Sequence, residues 1–394
     1  MRERDWASLE RGLLHDVFTR LPVDADAASF RHVCRGWRAA AGPGAPVAGP
    51  WFALRSAADG RRAFVRPARR RRRVRPVRLD AAAAGGEKKA PACVRGASRG
   101  WLAVDDGGGL LLRDPVSRAE VPLPDFDDPD YKLTDIFLSD DPLVAAGRWT
   151  AFAFFKVNDI TYTGHVLAFC RPGDAEWTRF DHQDTGPFYW GLEFFRGRAY
   201  VLIGVYRDKL AICDVDTRRL IVSPVSLQHL IEWGWDIQVC LVECGGDLLV
   251  VVVSHHEHTR SSYCVRRRRA RRFVVRVVKV HFAGEGGAMP VAVSNVAHTR
   301  DYALFVAPHG HAFALPASGF PAVRRSCVYH FATKITTKSV SGMVITDLTD
   351  HNRNHHKPLR KLPFAGQWYP LSWLSPRCPS LDTTPARRRR WPHS

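Results

Sequence analysis

The sequence predicts two structural classes in one chain: a small all-α N-terminal module, then a large all-β domain of about six to seven blades closed into a propeller. Three observations carry this. Leu9, Leu13, Val17 and Leu21 recur every four residues, the period of one helix face. Beyond residue 50 the pattern changes to short runs rich in Val, Phe, Tyr and Trp, broken by Gly, Asp and Pro turns, as in strands. A loose strand-turn-strand element also recurs; divided into five steps, the 233 residues from Asp114 to Asp347 give a mean spacing near 47.

In the first helix Leu14 and Phe18 widen the apolar stripe, and Pro22 ends it. Asp24 or Asp26 can cap a second helix, where Phe30, Val33, Cys34 and Trp37 fall at i, i+3, i+4 and i+7. Two such helices, about forty residues, form too small a core to bury so broad a face alone. From periodicity alone, a hairpin packed on its own domain competes evenly with docking onto a partner.

The ordered elements favour docking. Leu9, Leu13, Leu14, Val17, Phe18, Leu21-Pro22 and Val33-Cys34-Arg35-Gly36-Trp37 together resemble the F-box, the helical module that docks substrate receptors onto the Skp-type adaptor of cullin-based ubiquitin ligases. Family members usually begin with Leu-Pro; here Leu9 is followed by Glu10, which suits a helix N-terminus. The resemblance implies an adaptor-binding face of Leu9, Leu13, Leu14, Val17, Phe18, Leu21, Pro22, Val33, Cys34 and Trp37, and through the adaptor a cullin.

The module spans 1–41 and a Gly/Pro linker 42–49. Strand elements then fill 50–376, with Arg-rich insertions at 66–90 and 255–272, before a basic, disordered tail at 377–394. Recurring elements are Leu110–Pro115, Val166–Pro172, Leu210–Val215, Gly310–Leu315 and Met343–Leu348. A ring suits such units because each sheet has two faces to bury, and closure leaves few exposed edges. A single β-sandwich of this length is less expected.

A second resemblance lies in Cys93–Leu102, Leu112–Pro115, Val121–Pro124, Leu167–Trp177, Phe195–Tyr200, Glu243–Leu249, Gly319–Pro321 and Trp368–Leu374. In this order they are similar to the plant F-box-associated domain of the KIB type, also called domain of unknown function 295. That resemblance implies a propeller that recruits the substrate of the ligase. Ala307-Pro308-His309-Gly310-His311 stands where the family usually has Gly-Arg-Asn-His-Ser, and the Arg blocks look like additions.

The net charge of +19 is concentrated: Arg69–Arg73 supply five charges, Arg266–Arg269 with Arg271 and Arg272 six, and Arg387–Arg390 four, leaving +4 elsewhere. Arg69, Arg70, Arg71, Arg72, Arg73, Arg387, Arg388, Arg389 and Arg390 are candidates for nuclear import or phosphate binding, against the plainer reading of solvated loops and a tail. Specific nucleic-acid recognition is not expected, because no RNP motif, zinc-finger spacing or recognition-helix pair accompanies them.

Nine dispersed cysteines without a C-x-x-C, and charges at Arg2, Glu3, Arg4 and Asp5, indicate a soluble, unsecreted protein of nucleus or cytoplasm. The longest purely apolar run, Leu248–Val253, is six residues, too short to span a membrane.

No nucleophile elbow, Walker loop or dinucleotide fingerprint occurs, so neither enzyme activity nor a cofactor or metal is expected. His255-His256-Glu257-His258 with Cys264, and His351, His355 and His356 with Asp347 and Asp350, fit no zinc spacing and read as polar loops. Asp125, Asp127, Asp128 and Asp130 lack the Gly and distal Glu of a calcium loop. Trp101, Trp177, Trp190, Trp233, Trp235, Trp368 and Trp373 are expected mostly to pack between blades, with a few free to anchor a protein substrate. Substrate recognition for a cullin-type ligase is the leading expectation. A propeller lectin or enzyme, and a basic nuclear nucleic-acid-associated factor, are the alternatives.

Overall fold

The computed structural model describes residues 6, 9–21, 30, 33–41, 50–56, 62–65, 93–105, 109–115, 119–126, 130–143, 145, 147–157, 165–181, 188–204, 206–231, 237–256, 272–284, 286–307, 310–320, 323–333, 340–350, 353–358 and 368–374.

Helix α1 spans Arg11–Arg20 and helix α2 spans Arg35–Ala41. Arg20 in the last turn of α1 complements the helix dipole, and Leu21 leaves the helix in an extended conformation. Leu14, Phe18, Phe30, Ala40 and Ala41 form one small core, with Leu9, Leu21 and Trp37 at its border. Phe30 ties the helices together, its ring 5.3 Å from Phe18 and 4.6 Å from Trp37.

Five sheets of consecutive strands follow. Blade I holds β3 (Cys93–Ser98), β4 (Trp101–Asp105), β5 (Leu110–Arg113) and β6 (Glu120–Pro122). Blade II holds β7 (Tyr131–Leu138), β8 (Ala151–Val157), β9 (His165–Cys170) and β10 (Thr178–Arg179). Blade III holds β11 (Tyr189–Phe195), β12 (Arg198–Ile203), β13 (Lys209–Asp214) and β14 (Arg219–Ser226). Blade IV holds β15 (Ile237–Cys244), β16 (Asp247–His256), β17 (Arg272–Phe282) and β18 (Pro290–Asn295). Blade V has five strands: β19 (Tyr302–Val306), β20 (Ala312–Pro316), β21 (Cys327–Thr333), β22 (Val340–Asp347) and β23 (Arg353–Pro358). The first four blades are antiparallel meanders; in blade V, β19 pairs in parallel with β21, and β20 takes the innermost edge in the order β20-β19-β21-β22-β23. A three-stranded sheet joins the ends of the β region, with β24 (Trp368–Leu374) paired to β1 (Trp51–Ser56), and β1 to β2 (Arg62–Val65).

The recurring sequence elements fall on β5, β9, β13, β20 and β22. The blade count does not follow: among the described residues there are five full blades, not six to seven. The reason is spacing and closure. First strands at 93, 131, 189, 237 and 302 are on average about 52 residues apart rather than 47 (209/4), and the closing sheet draws on both ends of the region.

The inner hairpins of blades I, III and IV use two-residue turns with both φ values positive: Arg99 (47°) with Gly100 (83°), Arg196 (50°) with Gly197 (73°), and Gly245 (59°) with Gly246 (84°). Such mirror-image turns match the right-handed strand twist, which is why Arg-Gly or Gly-Gly stands there.

The apolar side chains form layers between neighbouring blades. Phe137, Phe152 and Phe154 of blade II pack with Tyr189, Leu192 and Val201 of blade III. Tyr200 and Leu202 of blade III pack with Val250 and Val278 of blade IV, and Val251 and Val275 of blade IV with Leu304 and Val344 of blade V. Trp373 of β24 packs on Phe305 and Phe331 of blade V and donates from Nε1 to Val306 O at 2.9 Å. Of the tryptophans named above, Trp101, Trp177 and Trp373 are buried, and Trp190 is half-buried; Trp51 and Trp149 are buried as well.

Candidate functional site: a helical face and the mouth of the ring

The helices sort the expected adaptor-binding residues into groups. Leu14 and Phe18 are buried in the module's own core, 2% and 7% exposed. Leu9, Leu21, Cys34 and Trp37 are half-buried, with the Trp37 indole donating from Nε1 to Trp6 O at 2.9 Å. Leu13, Val17 and Val33 point outward, 54%, 44% and 49% exposed. Pro22 lies outside the described residues, as do Arg69–Arg73, Arg387–Arg390, the linker 42–49, the tail 377–394, Trp233 and Trp235, most of the Arg-rich insertions and the His/Cys run after His256.

At the centre, innermost strands stand side by side: β24 beside β3, β3 beside β7, β11 beside β15, and β15 beside β20. The turn between β19 and β20 reaches across them. His311 Nε2 lies 3.1 Å from Asp135 Oδ1 of blade II, both side chains about nine-tenths buried, and its ring stacks on Phe137 at 4.3 Å. Gly310 touches blade III: a Cβ there would lie 1.7 Å from Trp190 O and 2.6 Å from Gly191 Cα. Cys240 Sγ of blade IV approaches Ala307 O at 3.8 Å. One turn therefore meets the innermost strands of three other blades. The segment that departs from the family's usual Gly-Arg-Asn-His-Ser is the one that makes these contacts.

Around this turn, on the side where β11 begins, lies an aromatic platform. Trp190 is bulged out of the β11–β12 ladder, between Tyr189 paired with Ile203 and Gly191 paired with Leu202. Its Nε1 donates to Gly204 O at 2.6 Å, Phe188 lies nearly parallel to it at 6.2 Å, and the Arg207 guanidinium sits 3.9 Å above the indole. On the opposite side, half-buried Glu193 lies near Arg99 and Glu243. Burial pushes its carboxyl up to about 7, against the Phe194 N–H, Arg99 and the Glu243 backbone, which favour the charge, while the Glu243 carboxylate adds to the rise.

Burial also pushes the thiols of Cys170, Cys240 and Cys244 up to about 12 and Cys327 to about 11, so these four are not thiolates at neutral pH. Among the described residues no three His, Cys, Asp or Glu side chains are grouped to hold a metal, and no helix is long and apolar enough to cross a membrane. Sequence reasoning singled out Trp190 but not Phe188, Arg207, Asp135 or Glu193; the only local sign was the aromatic run Phe188-Tyr189-Trp190.

Inter-blade cores and a ring of innermost strands define a β-propeller. Residues 70–354 match the KIB1-4 beta-propeller family model, and the chain belongs to that family. No curated protein matches the sequence. Among solved structures it is similar to the β-fructofuranosidase of Schwanniomyces occidentalis complexed with fructosyl-erythritol (8% identity, 66% of this chain and 61% of that one, TM-score 0.31). It is similar also to GH43 BlXynB of Bacillus licheniformis (10% identity, 70% and 52%, TM-score 0.29) and to GH43B of the Bacteroides ovatus xyloglucan PUL (10% identity, 74% and 57%, TM-score 0.31). The chain spans 52–61% of the length of these three, and overlaps at this level carry no argument about chemistry.

Proposed function

We propose that this chain is a non-catalytic substrate receptor of a cullin-type ubiquitin ligase. The two helices act as an F-box on a Skp-type adaptor, and the propeller holds a target protein near the ubiquitin-charged enzyme carried elsewhere in the complex. The gain is effective concentration, with no bond chemistry on this chain. The observation that carries the reading is the split of the helical face: Leu14 and Phe18 hold the helices together, while Leu13, Val17 and Val33 stay outside that core. Exposed apolar side chains grouped on so small a module mark an interaction surface. The KIB-type propeller is compatible with target recruitment. On this reading the protein works in the nucleus or cytoplasm, with Arg69–Arg73 and Arg387–Arg390 as import signals.

Co-expression with a Skp-type adaptor, followed by size-exclusion chromatography, tests the reading. A stoichiometric complex is expected, and Leu13→Asp with Val17→Asp abolishes it, because the new charges would have to be desolvated against an apolar partner. Both positions are exposed, so the variant keeps its fold, whereas a charge at Leu14 would disrupt the module itself. A folded wild-type chain that forms no complex contradicts the proposal.

A further inference from the structure

Blade II carries a row of basic side chains that its fold does not need. In the ladder, Lys132 of β7 stands directly opposite Lys156 of β8, and Lys156 directly opposite His165 of β9. Both lysines are exposed, and among the described residues neither ammonium has a hydrogen-bond or ion-pair partner. Directly opposite side chains have Cβ atoms about 4.5–5.5 Å apart, and like charges so placed weaken a sheet. The three positions share one face. Leu133, Phe155 and Val166 belong to the layer shared with blade I, so their neighbours Lys132, Lys156 and His165 point the other way, towards blade III.

That direction sets the row at the rim of the layer between blades II and III. Phe154 and Leu167, each two residues inward on its strand, are buried in one cluster with Tyr189 and Leu192 of blade III. His165 closes the row against blade III, its Nδ1 3.3 Å from Tyr189 O and its ring edge-on to Phe188 at 6.0 Å and to Trp190 at 6.3 Å. The strands beneath the lysines are therefore held rigid by the packed layer, while the ammoniums stay in solvent. The row is also short. Inward along β8 and β9 the face turns apolar, and inward along β7 it reaches Asp135, which is buried against His311. Outward, Asp130 precedes Lys132 by two residues and carries the opposite charge. A polyanion such as single-stranded nucleic acid needs a basic groove that tracks its backbone. A single bounded spot suits one compact anion.

We propose that Lys132 and Lys156, bordered by His165, bind a phosphomonoester carried by a side chain of a partner protein. A phosphorylated side chain brings a charge of about −1.5 to −2 and three acceptor oxygens, so one group meets both ammoniums and replaces their repulsion by attraction. A carboxylate brings a single charge. Lysine ammoniums are compact point charges on flexible stems and can converge on such a group from two strands. Calling the partner the ligase's target rests on the receptor reading; the site itself does not.

The test uses the full chain at physiological salt and degenerate twelve-residue peptide libraries with a fixed central phosphoserine, phosphothreonine or phosphotyrosine. Matched libraries carry the unphosphorylated residue or Glu at that position. The expected result is retention of at least one phosphorylated library about tenfold above both of its counterparts. Inorganic phosphate should compete, and Lys132→Gln with Lys156→Gln should abolish the preference. The double variant should melt no lower than wild type, because it relieves a like-charge pair. A lower melting temperature would show that the lysines pair within the fold, and overturns the assignment. Equal retention of all libraries, equal retention of the Glu library, or a preference unchanged in the double variant overturns it too. Tighter binding of a labelled poly(dT) 20-mer or of phosphatidylserine vesicles, lost in the same variant, gives the row to a polyanion and also overturns it. Adaptor co-elution separates the two readings. Absence of the phosphate preference with adaptor binding intact sinks only this site, and failure of wild type to bind the adaptor while the preference holds sinks only the receptor role.

Discussion

The helical module and the propeller treat similar apolar side chains in opposite ways. In the propeller, Leu202, Val250, Leu304 and Phe305 are fully buried in layers between blades. In the module, helix α1 places Leu14 and Phe18 inside while Leu13 and Val17 on the same helix stay about half exposed. A ring can cover both faces of each sheet with its neighbours, and two short helices cannot cover a broad stripe. The difference separates side chains that make the fold from side chains left for a partner, and each can be perturbed without the other.

The largest effect on the propeller side is expected at Gly310. Gly310→Ala sets a Cβ within 1.7 Å of Trp190 O at a position where φ is 82°, so loss of about 3 kcal/mol or more, or no folded protein, is predicted by chemical denaturation. Gly147→Ala is the control. Its φ of 87° is similar but no atom lies within 4 Å of the added Cβ, so only backbone strain of about 1–2 kcal/mol is expected. Equal losses at the two sites would show that the central turn does not press on blade III.

Phe305→Ala follows, at about 3–5 kcal/mol, because it opens a cavity beside Tyr329 and Trp373, whose rings lie 4.6 Å and 5.1 Å away. The midpoint should fall while the denaturant slope is unchanged; a loss below about 1 kcal/mol would contradict a tightly packed layer between blade V and the closing strand.

Glu193 sharpens the comparison through pH. Its folded value, about 7, lies above the ordinary 4.5, so as pH rises from 4.5 to 7 the unfolded chain gives up this proton first. Stability contributed by the group is therefore full below 4.5 and lost as pH passes 7. Glu193→Gln should flatten that window, with the variant gaining on the order of 1–3 kcal/mol on wild type at pH 8 relative to pH 4.5. Identical pH profiles would place the carboxyl in solvent. The smallest effect is expected at Arg113→Ala, which breaks the 2.8 Å pair with half-exposed Glu120 and should cost under about 1 kcal/mol.

What could be read in the sequence was whatever has local grammar. The four-residue period located α1, and the strand-turn elements fell on observed strands. What escaped depends on contacts far apart in the chain. Leu13 and Leu14 are neighbours on one stripe, and only the packing of Phe30 and α2 decides which faces inward. The parallel pairing of β19 with β21 and the union of β24 with β1 lowered the count of full blades, and neither has a local signature. The Asp135–His311 contact joins residues 176 apart, and the approach of Gly310 to Gly191 could not be inferred from either glycine.

The most direct test of the central claim is calorimetric titration of a purified Skp-type adaptor into the wild-type chain and into Leu13→Asp/Val17→Asp, with thermal unfolding of both measured in parallel. The account predicts saturable binding by wild type, no detectable binding by the variant, and melting temperatures that coincide. Adaptor binding at wild-type affinity by a folded variant would contradict it.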